Sequence, residues 1–114
     1  MEEVGLAKIV NVGQTSSESV GGGKSVTAGD NITESAGRNI ALSAGKHVNI
    51  TAGGNINVAA RKKAGIVAAD QLTIQCGGAT ITVKKNGDVT IEAKKLNVKA
   101  SGDVSIKGSK VKIN

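Results

Sequence analysis

The sequence contains no phenylalanine, tyrosine, tryptophan or proline, and its 114 residues include one cysteine and one histidine. Aromatic side chains bury the most surface per residue, so an interior without them must be narrow and filled by Val, Ile, Leu and Ala. The single Cys76 excludes an intrachain disulfide framework. No apolar run approaches the roughly 18 residues of a membrane-spanning helix, and no signal-peptide pattern begins the chain. These absences argue against an ordinary globular core, a disulfide scaffold and a helical membrane span.

What the sequence has instead is a repeat of eight residues. Residues 29–60 read as four copies of one unit: GDNITESA, GRNIALSA, GKHVNITA and GGNINVAA. Glycine at a fixed phase indicates a corner, where φ is positive or another backbone comes close. The apolar alternation that follows each glycine is typical of a strand. The predicted structural corners are Gly5, Gly13, Gly21, Gly29, Gly37, Gly45, Gly53, Gly87 and Gly102.

Alternation along each strand also predicts which side chains face inward. With glycine as position one, positions four, six and eight share a face, and from residue 40 to residue 76 their rule is large, large, small, with Ala64 as the exception. A triangular interior explains this order, because a side chain beside a corner has less room than one in the middle of a side. The predicted core consists of Ile40, Leu42, Val48, Ile50, Ile56, Val58, Leu72, Ile74, Ile81, Val83, Val89, Ile91, Val104 and Ile106.

The first four units are more polar on this face, where Lys8, Glu18, Lys24 and Glu34 replace aliphatic residues. Two interpretations remain open. The strand phase differs here and the charges face water, or they line a polar lumen in which lysine and glutamate of neighbouring layers pair or hold water and ions. Unpaired buried charges are very costly, so the second interpretation requires such partners.

Beyond Gly53 the corner glycine lapses, while the apolar alternation continues. Gly77-Gly78 inserts one extra residue, and Asn86-Gly87 is compatible either with a two-residue hairpin turn or with a further corner. The continuing period favours the corner. We therefore expect residues 1–4 to be leader residues and residues 5–114 to form one shaft, with a narrower basic tip at about 94–114.

A single chain of 114 residues would complete fewer than five coils, since three sides of eight residues use 24 residues for one coil, so three chains are preferred. If three chains each contribute one unit to every layer, every strand pairs with a neighbouring chain and the small residues meet along one axis. The sequence therefore predicts an all-β fold: an intertwined homotrimeric triangular β-helix, or β-prism, built from octapeptide repeats.

The octads, the junctions SVGGGK and SAGRN, and the units GDVTIEA and GDVSIKG resemble the C-terminal needle of VgrG proteins. VgrG is the spike of bacterial type VI secretion and is similar to the central spike of contractile-tailed phages. The resemblance implies a non-catalytic, envelope-puncturing needle that is made in the cytoplasm, assembled in the secretion apparatus and translocated outward into the target envelope. It also implies that a PAAR-type tip protein or an effector docks on the tip residues Val111, Lys112, Ile113 and Asn114.

Chemistry-bearing residues are few. His47 occupies an outward position, which indicates a surface imidazole, and Cys76 occupies a small inward slot, which indicates a buried structural thiol. Serine and threonine are abundant, but no histidine or buried carboxylate accompanies them as a base. Some phage spikes close on iron through His-x-His, and SKVKIN at the end of this chain has no histidine. We expect no enzyme activity, no metal and no cofactor.

Charge is distributed unevenly. Residues 1–60 hold four basic and five acidic residues, net −1, whereas residues 61–114 hold eleven basic and four acidic residues, net +7. Without aromatic stacking residues or a recognition helix, nucleic-acid binding is disfavoured. For the basic residues 61–114, contact with an anionic target membrane is the preferred role.

Two other functions are considered. A single-chain β-helix segment of a secreted adhesin or exoprotein also contains GDVTI-like units, but its coils run near 20 residues and not eight. A carbohydrate-acting β-helix enzyme is disfavoured by the missing acid cluster and aromatic residues. The number of chains in solution separates the first of these from the trimeric needle.

Overall fold

The computed structural model of the protein describes residues 5–114, and the expected leader at residues 1–4 lies outside them. The described residues contain strands and no helix, so the all-β part of the prediction is confirmed. The chain divides into two compact units, Met1–Ile50 and Thr51–Asn114.

In the first unit, residues 5–50 are extended segments separated by bends. The bends fall at an interval of eight residues, at Gly5, Gly13, Gly21, Gly29, Gly37 and Gly45. From residue 9 onward the backbone N–H and C=O groups of this unit form no backbone hydrogen bonds within the chain. Backbone polar groups need partners, so these extended segments are available to water or to another strand.

The second unit begins with the same pattern and then changes. Bends recur at Gly53, Arg61 and Ala69, so the interval of eight continues where glycine is replaced. Three strands follow: β1 spans Gln71–Cys76, β2 spans Ala79–Lys84 and β3 spans Val89–Glu92. They form one sheet in the order β1-β2-β3, with both pairs antiparallel. Beyond β3 the chain is extended again, with bends near Lys94, Gly102 and Ser109.

The first hairpin turns at Gly77-Gly78, between the paired residues Cys76 and Ala79. Gly77 has φ of 55°, whereas Gly78 has no positive φ, as in a type II′ turn. The twist of such a two-residue turn matches the right-handed twist of the flanking strands, so it favours an antiparallel pair. The glycine that the sequence inserts into the period of eight is therefore one of the two turn residues that reverse the chain.

The second hairpin differs from the prediction of a corner at Gly87. The Gly87 N–H donates to the Lys84 carbonyl at 3.0 Å, and the Lys84 N–H donates to the Asp88 carbonyl at 2.9 Å. Gly87 has φ of 96°. This is a three-residue loop with a left-handed glycine, and the Asn86 side chain stabilises it by accepting from the Asp88 N–H at 3.1 Å. The hairpin forms because the Asn86 side chain and the Gly87 N–H make hydrogen bonds within the turn itself.

Replacing Gly87 by alanine should weaken this hairpin by about 1–2 kcal/mol, because the left-handed region crowds a Cβ against the backbone. Hydrogen exchange of the Lys84 amide should then accelerate by about 5–30-fold. Gly54→Ala is the matched control, since Gly54 has no positive φ and no atom within 4 Å of an added Cβ. Equal acceleration in the two variants would contradict the hairpin.

Candidate assembly surface

The three strands place their apolar residues on one face of the sheet. Ile74 lies opposite Ile81, which lies opposite Ile91. Residues directly opposite in antiparallel strands share a face, and side chains alternate along each strand. The apolar face therefore carries a row of three isoleucines, beside a second row of Leu72, Val83 and Val89. The opposite face carries threonine, glutamine, lysine and glutamate.

A shallow groove of about 330 Å³ opens on this apolar face. Its floor includes the three isoleucines, and its small residues are Cys76, Ala79 and Ala93. Cys76 is directly opposite Ala79 across the β1–β2 ladder. The groove exists because small residues lie side by side, where the neighbouring rows have branched aliphatic side chains.

The described residues of the single chain include no buried side chain. Ile81 is 39% exposed, and Val58, in the octads, is 85% exposed. Fully burying a Val, Leu or Ile side chain contributes about 1.5–3 kcal/mol, so the chain by itself leaves most of this stabilisation unused. All fourteen predicted core residues are exposed or half-buried: Ile40, Leu42, Val48, Ile50, Ile56, Val58, Leu72, Ile74, Ile81, Val83, Val89, Ile91, Val104 and Ile106.

The octad glycines bend without a positive φ. Among the described residues, positive values occur at Gly77 and Gly87, both in hairpin turns. A Cβ added to Gly45, or to any other octad glycine, would meet no atom within 4 Å. Of the two physical reasons for a corner glycine, left-handed geometry is therefore excluded for these glycines, and no close approach exists within the chain.

The polar first unit contains an ion pair between neighbouring octads. The Lys24 ammonium bonds the Glu18 carboxylate, and both side chains are more than half exposed in the single chain. An exposed pair of this kind stabilises by at most about 1 kcal/mol. Pairing between Lys24 and Glu18 and exposure of both side chains to water thus occur together in the single chain.

His47 is exposed, as its outward position predicts. Cys76 is also exposed in the single chain, which differs from the predicted buried thiol, because none of the described residues covers the apolar face of the sheet. No group of three or more His, Cys, Asp or Glu side chains in residues 5–114 has the geometry of a metal site. Within the same residues, no helix is long and apolar enough to cross a membrane.

The proposed tip is an extended, exposed segment. Val111 and Ile113 are 54% and 91% exposed, and Lys112 lies between them. Alternation places the two aliphatic residues on one face and Lys112 and Asn114 on the other. An edge of this kind offers both unpaired backbone groups and an apolar strip to a partner.

Eight-residue bends and exposed aliphatic faces define a β-repeat protein. Residues 16–114 match the family described as "Uncharacterized protein conserved in bacteria (DUF2345)". Because the match covers most of the chain, the protein belongs to this bacterial family. No curated protein matches the sequence.

Proposed function

We propose that this chain is the non-catalytic needle of a type VI secretion VgrG spike, acting as a homotrimeric β-helix that punctures a target envelope. The observation that carries the proposal is the aliphatic side chain set of the octads, which is regular in sequence and exposed in one chain. Because residues 5–114 bury no aliphatic side chain within one chain, the protein would gain its hydrophobic stabilisation through assembly. DUF2345 domains are known in the C-terminal regions of VgrG proteins, which supports the same proposal.

Three chains fit these features better than one. The octad backbone from residue 9 to residue 69 has no backbone partner within the chain. A trimer with one octad per chain in each layer would pair these groups between chains and bring the exposed Ile, Leu and Val side chains to a shared axis. It also supplies the close backbone approach that the octad glycines lack within one chain.

A stiff shaft needs no active site. Its mechanical role follows from continuous interchain ladders, which are long-range pairings that form slowly and unfold more slowly still. The C-terminal strip Val111, Lys112, Ile113 and Asn114 would present the open end of the prism to a PAAR-type tip protein or an effector. The protein would be made in the cytoplasm, assembled in the apparatus and then carried outward.

The test of this proposal is resistance to detergent. Without heating, the protein should migrate on a denaturing gel as three chains, about 34 kDa from an 11.4 kDa chain, and boiling should release the single chain. The single-chain adhesin alternative predicts one band at the mass of one chain under both conditions. Such a result would overturn the needle.

The basic second unit should favour contact with anionic membranes. A lysine close to an anionic surface contributes about 1 kcal/mol, so removing two lysines per chain should weaken binding by about 30-fold or more. We expect the protein to bind phosphatidylserine liposomes at low salt and to bind neutral liposomes much less. The double variant Lys110→Ala/Lys112→Ala should lose affinity, whereas Lys46→Ala in the first unit should not. Equal binding to both kinds of liposome would contradict membrane contact.

A further inference from the structure

The order of large and small residues reverses where the chain direction reverses. Along β1 the apolar face has large residues first and the small Cys76 last, as in the octads. Along β2 the small Ala79 comes first and is followed by Ile81 and Val83. β3 returns to the octad order and is followed by the small Ala93. The antiparallel register therefore aligns small with small and large with large across the sheet.

This alignment preserves the arrangement of a prism side. In the octads, the small residue lies beside one corner of each side. In the sheet, Cys76 and Ala79 lie together at one end of the ladder, and Ala93 lines the same groove. A slip of one residue would move every apolar side chain to the polar face, so the register is strongly specified.

The dimensions agree as well. β1 and β2 have six residues each and are about 20 Å long, and β3 has four residues. Each octad leaves five or six residues between its corners. Three strands at a spacing of ~4.8 Å occupy about 14 Å along the stacking direction. The two hairpin turns, at Gly77-Gly78 and around Asn86-Gly87, lie at the ends of these strands, where an octad would turn a corner.

We propose that residues 71–92 of each chain form one complete side of the trimer over three layers, and that the apolar face is covered by the same face of two further copies. The octads pass from side to side and pair between chains, whereas this sheet stays on one side and pairs within its own chain. This inference rests on the trimer of the proposed function. The three-stranded sheet would then be a chain-local segment, which pairs within its own chain, whereas the flanking octads pair between chains.

The chemistry of the face favours identical copies as the occupant. The paired positions on it are aliphatic residues and one thiol, with no aromatic or charged side chain, and it continues the pattern of the octad faces. Its area is only about 280 Å² from the strand dimensions. Stable interfaces need about 800 Å² per partner, so the sheets do not hold three chains together without the flanking octads.

Disulfide trapping tests which chain pairs with which. Thr73 and Thr82 are opposite each other on the polar face. The Lys85 N–H donates to the Asp70 carbonyl, so hydrogen-bonded pairs alternate from there and Thr73–Thr82 is a non-hydrogen-bonded pair. The Cα atoms of such pairs are about 4.5 Å apart, which allows a disulfide. The variant is Thr73→Cys/Thr82→Cys, with Cys76→Ala to remove the native thiol.

After oxidation and boiling without reductant, this variant should migrate on a denaturing gel as a single chain, because the disulfide lies within the chain. Mass spectrometry should show the loss of about two mass units, since forming the disulfide removes two hydrogen atoms. Its trimer mass before boiling should match that of Cys76→Ala. The control is Ser35→Cys/Ser43→Cys in the Cys76→Ala background, which joins the same outward position of consecutive octads. Interleaved octads predict covalent dimers and trimers for this control.

Each outcome separates the two proposals. Covalent dimers or trimers from Thr73→Cys/Thr82→Cys, or no disulfide at all, would overturn the chain-local sheet while leaving the trimer intact. A single-chain mass in solution for Cys76→Ala would instead overturn the trimer, and with it the covering of the apolar face. An intrachain disulfide in a trimer whose octad control is linked between chains supports both.

Discussion

Replacing Ile50 by aspartate should abolish assembly, whereas replacing the adjacent Asn49 by aspartate should leave it intact. In the single chain Ile50 is 72% exposed, so the charge would cost little there. In the proposed trimer three Ile50 side chains lie in the narrow interior, and three carboxylates would be buried together without partners. An uncompensated buried charge costs several kcal/mol, and the cost recurs in every chain.

Size-exclusion chromatography with light scattering measures this effect. The Ile50→Asp protein should elute at the mass of one chain or aggregate, and Asn49→Asp should keep the mass of the unsubstituted protein. Asn49→Asp adds the same charge one residue away, on the outward face, so net charge is controlled. Equal masses for the two variants would contradict the assignment of inward and outward faces.

Replacing Gly45 by valine should destabilise the assembly and not the single chain. Within the chain, Gly45 has no positive φ and no neighbour within 4 Å of a Cβ. In the proposed trimer, valine side chains from all three chains would be inserted at a corner where we expect backbones to approach closely. Inserting methyl groups into a packed site costs about 1–3 kcal/mol, and this cost would apply to each of the three chains.

The measurement is the denaturant concentration at which the trimer dissociates. Gly45→Val should lower it, and Arg61→Val should change it little, because the Arg61 corner already accommodates a Cβ. If Gly45→Val dissociated at the same concentration as the unsubstituted protein, the octad glycines would not mark close approaches between chains.

The sequence predicts the parts of the structure that depend on local periodicity. Fixed glycine spacing is matched by bends every eight residues, and alternation is matched by the shared apolar face of Leu72, Val83 and Val89. Alternation is a property of the extended backbone and does not depend on what a strand pairs with. For this reason it remains informative even where the pairing differs from the expectation.

Pairing within residues 71–92 was not predicted, because its signals fit two structures. Asn86-Gly87 suits both a corner and a hairpin, and Gly77-Gly78 also fits a single insertion into the period of eight. One signal could have distinguished them: the small residue precedes the large ones at Ala79, Ile81 and Val83. Reversed order indicates reversed direction when small residues must remain beside the same corner.

The candidate assembly surface illustrates a further limit of the sequence. The pattern identified which side chains share a face, but it does not specify what covers that face. Ordering a residue costs about 1–2 kcal/mol in backbone entropy. Residues 5–114 bury no side chain within one chain, so they have little hydrophobic stabilisation to offset this cost. Burial of the aliphatic side chains in the proposed trimer would supply this missing stabilisation.

The mass of the unsubstituted protein in solution tests this dependence most directly. Sedimentation equilibrium at micromolar concentration should give about 34 kDa, three times the 11.4 kDa chain, with no change on dilution. A mass of 11.4 kDa for a folded, β-rich protein would contradict the trimeric needle.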